Sequence, residues 1–89
     1  MHKVFYLPEL CTVAEVETYY KELDAFYVQQ QDVEIDASKV ERMDSAFVQL
    51  LIAFEQAIKS ADKELRYGPC SEVFKSSCRI LGYSVFPNN

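Results

Sequence analysis

The stretch from Ser45 to Ala61 constrains this chain most. It holds Ala46, Phe47, Val48, Leu50, Leu51, Ile52, Ala53, Phe54, Ala57, Ile58 and Ala61, broken only by Gln49, Glu55, Gln56, Lys59 and Ser60. The pattern predicts the strongest helix in the sequence. Its apolar coverage is wider than the single stripe of an ordinary surface helix. Such a helix is either deeply buried, or its N-terminal turns offer apolar side chains to a partner. The unbroken apolar block, Leu50 to Phe54, is far short of the ~20 residues that a membrane helix needs.

The flanking segments supply what that helix packs against. Lys3 to Leu7 is β-branched and aromatic, stops at Pro8, and reads as a strand. Thr12 and Glu15 have the spacing of a capping box at the start of a helix running to about Gln29. Val13, Val16, Tyr20, Leu23 and Tyr27 form its expected core stripe, with Glu15, Glu22 and Asp24 on the solvated side. Tyr19, Phe26 and Phe86 are candidates for aromatic rings outside the core, where they would suit a homodimer contact. Val33 to Ala37 alternates like a second strand, and Ser38 to Asp44 is a polar connection anchored by Val40 and Met43. Glu64 to Tyr67 reads as a third strand closed by the breakers Gly68 and Pro69. Ser71 caps a short helix to Leu81, with Gly82 at its C-cap, and Tyr83 to Phe86 is an expected edge strand. The order predicts one α/β domain over residues 1–89: three helices with a mainly parallel open sheet of three to four strands. So few helices cover only one sheet face well, which is a reason to expect a partner or a homodimer.

Charge and composition narrow the function. The formal charge is -5, from 9 basic and 14 acidic side chains, and the basic residues are scattered among acids. That excludes the basic patch that nucleic acid requires and disfavours an anionic membrane surface. No apolar leader with a small-residue cleavage site opens the chain, and the expected location is the cytoplasm. The three cysteines, Cys11, Cys70 and Cys78, are an odd set without a CxxC pair and read as reduced small hydrophobes. With His2 the only histidine, no metal site is expected.

Catalytic groupings are poor. No histidine stands where it can serve a Ser or Cys nucleophile, and the two glycines form no phosphate loop. Asp36 and Asp44 border one loop, a pairing that caps and solvation explain. No cofactor and no enzyme activity are expected. The informative point is Asp44-Ser45 at the mouth of the long helix. A short polar side chain there caps the free N–H groups of the first turn. A hydroxyl beside the cap sits in a positive local field, where phosphate costs the fold little and adds about -1.5 to -2 charges.

The segment Asp36-Ala37-Ser38-Lys39-Val40-Glu41-Arg42-Met43-Asp44-Ser45 resembles the central signature of STAS domains. In that family a strand ends in Asp-x-Ser-x-Val, and a loop leads to Asp-Ser or Asp-Thr at the start of a long apolar helix. Leu7-Pro8-Glu9-Leu10 before, and the Pro69-Cys70-Ser71 turn with Leu81-Gly82-Tyr83 after, extend the resemblance over about residues 3–83. It is closest to compact stand-alone bacterial forms similar to anti-sigma factor antagonists, some of which occur in chemotaxis and signalling clusters. The resemblance implies a non-enzymatic switch. In the antagonists a partner that is both serine kinase and anti-sigma factor phosphorylates the serine after the aspartate. The unmodified form binds that partner, and the phosphorylated form is released. By position, Ser45 is the acceptor. The implied binding surface is Ser38, Glu41, Arg42, Asp44, Ser45, Ala46, Phe47 and Gln49. Two positions depart from the antagonist pattern. Cys11 stands where an acid usually lies near the phosphorylated serine, and Phe47 replaces a glycine. Short STAS proteins also resemble the cytoplasmic accessory subunit of a phospholipid-trafficking ABC transporter. There the hydroxyl at the helix start packs on the ATPase without phosphate. Phe47 and the broad apolar helix lean toward that alternative.

Overall fold

A computed structural model describes residues 2–29 and 31–82. Their elements run β1 (His2–Tyr6), β2 (Leu10–Cys11), α1 (Val13–Val28), β3 (Asp32–Ala37), β4 (Arg42–Met43), α2 (Ser45–Ser60), β5 (Leu65–Cys70) and α3 (Glu72–Ile80). The main sheet has order β1-β3-β5 with all neighbours parallel, and β2 and β4 make a second parallel ladder. The α/β class, the three helices and the parallel sheet are as the sequence predicts. The expected edge strand at Tyr83 to Phe86 lies outside the described residues.

Alternation fixes the sheet's two faces. Val33, Ile35 and Ala37 of central β3 are essentially fully buried, while Asp32, Glu34 and Asp36 face the other way. Buried residues of all three helices, Leu23, Phe47 and Phe74 among them, join the same cluster as that inner face. The helices therefore cover one side. The outer side carries Tyr6, at 63% exposure, and an Arg66–Glu34 ion pair of 3.3 Å between β5 and β3.

Two local expectations are corrected. Gly68 and Pro69 do not end the third strand. β5 continues through them to Cys70, with a register irregularity opposite Ile35 to Ala37. β5 is an edge strand in the described sheet, where a missing proline N–H is tolerated. The core stripe of α1 is also rotated. Val13 and Tyr20 are 68% and 55% exposed, whereas Tyr19 and Phe26 pack on the core beside buried Leu23. Phe5 explains the rotation: its ring takes edge contacts from Phe26 at 5.0 Å and Tyr19 at 6.2 Å.

On α2 the buried line is Phe47, Leu51, Phe54 and Ile58, at the three-and-four spacing of one face, with Val48 alongside. A Schellman turn ends the helix. The Lys63 N–H donates to Ile58 O and the Asp62 N–H to Lys59 O, with Asp62 in the left-handed region at φ 65°. Gly82, at φ 80°, plays the corresponding part after α3.

Candidate functional site at the start of the long helix

The site is assembled by backbone ties between segments distant in sequence. The Glu9 carbonyl accepts from the N–H groups of both Glu41 and Arg42, at 2.8 and 3.1 Å, and the Asp44 N–H donates to Cys11 O at 3.1 Å. These bonds hold the β2–β4 ladder and bring the ends of α1 and α2 together. Val40 is buried, and its carbonyl accepts the Ser71 hydroxyl at 2.7 Å, which ties the loop to the start of α3. Ser38 closes the loop's first turn. Its N–H and hydroxyl both donate to Asp36 Oδ1, at 2.9 and 2.6 Å. Those bonds favour the ionised form and hold the Asp36 carboxyl below the usual range.

Asp44 is the hub. Its Oδ1 accepts the Phe47 N–H at 3.1 Å, the expected cap on α2. Its Oδ2 accepts the Val13 N–H at 2.7 Å, which caps α1 from another segment. Thr12, placed by sequence as the side-chain cap of α1, makes no such bond. Two positive helix ends thus share one carboxylate. The Asp36 and Asp44 carboxylates are occupied as a turn-former and a double cap.

Ser45 is the first residue of α2 and is exposed. Like any first-turn N–H groups, those of Ser45 and Ala46 have no intrahelical acceptor. Ser38, Glu41, Arg42 and Gln49 are also exposed, and Asp44 and Ala46 are half-buried. The fold gathers these residues on the loop and first turns beside Ser45. Phe47 is the correction. It is fully buried, with its ring 6.0 Å from Tyr19, so it cannot contribute a surface contact. The third position after the Asp44 N-cap turns inward here, in line with Leu51, Phe54 and Ile58, and its ring joins the core cluster that holds the inner face of β3. Val13 and Tyr20 on α1, exposed beside this rim, were missed by the sequence reading, which assigned them to the core.

Residues 12–85 match a family model described as "Mlab, STAS domain". The chain belongs to the STAS family. Comparison with curated proteins produced no match. STAS domains generally act by binding other proteins. In this one the rim around Ser45 lies at the junction of β2, β4, α1 and α2.

The cysteines of this STAS domain are free thiols packed as hydrophobes. Burial, reinforced by the Asp44 and Glu15 charges, pushes the Cys11 thiol up to about 12, and its Sγ donates to Pro8 O. Burial likewise raises Cys70 to about 11 and Cys78 to about 12. Thiols so raised supply almost no thiolate at neutral pH. Among the described residues no group of three His, Cys, Asp or Glu is placed to hold a metal. No helix among them is long and apolar enough to cross a membrane.

Proposed function

We infer that this STAS domain is a non-catalytic regulatory module of the cytoplasm. It docks a protein partner on the rim formed by Ser38, Glu41, Arg42, Asp44, Ser45, Ala46 and Gln49, and phosphorylation of Ser45 releases that partner. The observation that carries the reading is the exposed Ser45 hydroxyl at the start of α2, next to a cap already in place. Because Asp44 rather than Ser45 closes the helix end, modification of Ser45 leaves the fold's own hydrogen bonds intact. A phosphate there adds a dianion beside the Asp44 carboxylate and inside a desolvated contact, which opposes binding. Anti-sigma factor antagonists, which the chain resembles, use a serine at this position in that way.

The same feature supports a second reading, an accessory subunit that packs on a transporter ATPase without modification. With both helix ends capped by Asp44, the rim is complete in its unphosphorylated form. The experiment is purification of tagged chain from its native cells, followed by intact-mass analysis and partner identification. The switch reading expects a fraction carrying one phosphate at Ser45, and a partner that binds Ser45→Ala but not Ser45→Asp. Unmodified Ser45, together with a partner that tolerates Ser45→Asp, overturns it. Recovery of an ATPase subunit with unmodified protein establishes the second reading.

A further inference from the structure

The apolar surplus of α2 opens onto a groove. Leu50, Ala53 and Ala57 of α2 face Val16, Tyr20 and Tyr27 of α1 across two adjoining open hollows of about 560 and 300 Å³, which share Tyr20 and Leu50. The hollows begin at Val13 and Ala46, beside the Ser45 rim, and end at Tyr27 and Ala57. At 1.5 Å per residue that path is about 20 Å along α1, the length of some three to four helical turns. The charged residues lining it are Glu17 and Asp24, both acidic and both exposed, and no basic residue lines either hollow. Neither acid has an ion-pair partner among the described residues, and Lys21, which lies between them on the helix but outside the lining of the hollows, pairs with neither. They lie seven residues apart on α1, so on one face and about 10 Å apart.

We propose that this α1–α2 groove receives an amphipathic helix of the partner protein, with apolar residues on the floor and two basic residues, also about seven apart, set against Glu17 and Asp24. Charge decides the occupant. A second copy docking groove to groove brings two further acids and no lining cation to pair with Glu17 and Asp24, whereas a basic-edged helix pairs both acids and covers Tyr20 and Leu50. The proposal rests on the reading of the chain as a protein-binding module, but not on phosphorylation of Ser45.

The test is an NMR titration of the labelled full chain with a synthetic helical peptide of Leu and Lys, its leucines spaced three and four apart and its lysines flanking them. A matched peptide with Glu for Lys is the control. The expected result is saturable amide shifts centred on Val16, Tyr20, Leu50 and Ala53 with the Lys peptide, and at least tenfold weaker binding of the Glu peptide. Glu17→Lys with Asp24→Lys weakens the Lys peptide at least tenfold, and so does Ala53→Arg, while circular dichroism shows both variants folded. Shifts spread over the surface, equal binding of the two peptides, or indifference to the variants overturns the proposal. So do concentration-dependent shifts of the groove without peptide, which make a second copy the occupant. The titration uses neither kinase nor natural partner, so its failure leaves the Ser45 reading to its own experiment.

Discussion

Asp44 shows how much one side chain carries when two segments meet on it. It caps α2 through the Phe47 N–H and α1 through the Val13 N–H. An N-cap is worth roughly 1 kcal/mol, so Asp44→Ala is expected to cost about 2 kcal/mol by urea denaturation. Ser45→Ala, which removes an exposed hydroxyl without a bond to the fold, is expected to stay within about 0.5 kcal/mol. That contrast separates the structural residue from the one proposed to be regulatory. Asp36 gives a pH-dependent counterpart. Its carboxyl is held below the usual range by the Ser38 hydroxyl and N–H. A depressed folded value stabilises the protein above the carboxyl's unfolded value, and that contribution is lost as pH falls through the folded value. Ser38→Ala is therefore expected to raise the Asp36 midpoint in a carbon-detected NMR titration and to shrink this component of acid stability. At this scale the sequence was informative about Asp44, because a cap is a local matter. It was silent on the second cap, because the Val13 N–H reaches Asp44 only after the chain has folded.

The elements were legible where a period repeats. β3, α2 and α3 follow alternation or helical spacing, and their buried residues are the ones those periods select. On α1 the adjacent tyrosines, Tyr19 and Tyr20, allow two stripes, and only the Phe5 ring decides for Tyr19 and Phe26. Phe26→Ala is accordingly expected to cost about 2–4 kcal/mol, and Tyr20→Ala less than about 0.5, in the same denaturation assay. β2 and β4 have two residues each, too few for any period. They pair because Glu9 and Cys11 offer carbonyls across the loop. Asp62 shows the cost of a turn made without glycine. Its positive φ strains a side-chain-bearing residue, so Asp62→Gly is expected to raise stability by about 0.5–1 kcal/mol.

For the molecule as a whole, coverage of the sheet on one side leaves three surfaces of different character. The outer sheet face is polar and bears the Arg66–Glu34 pair. The Ser45 rim is an exposed loop and helix start, and the α1–α2 groove is apolar with two acids along its α1 edge. The parallel βαβ order was readable from the sequence because strands and helices alternate along it. Phe47 was placed on the surface by the resemblance, which puts docking contacts on the first turns of α2, although the three-and-four line of Phe47, Leu51, Phe54 and Ile58 already includes it. With Phe47 buried, the proposed docking surface is reduced to polar and small residues around Ser45, a face that a single phosphate can alter. The most direct measurement is photo-cross-linking in native cells, with a benzophenone side chain placed in turn at Ser45, Gln49 and Tyr6. The account predicts one protein adduct shared by positions 45 and 49 and no such adduct from position 6 on the outer sheet face. An adduct from position 6 with none from 45 or 49 contradicts it.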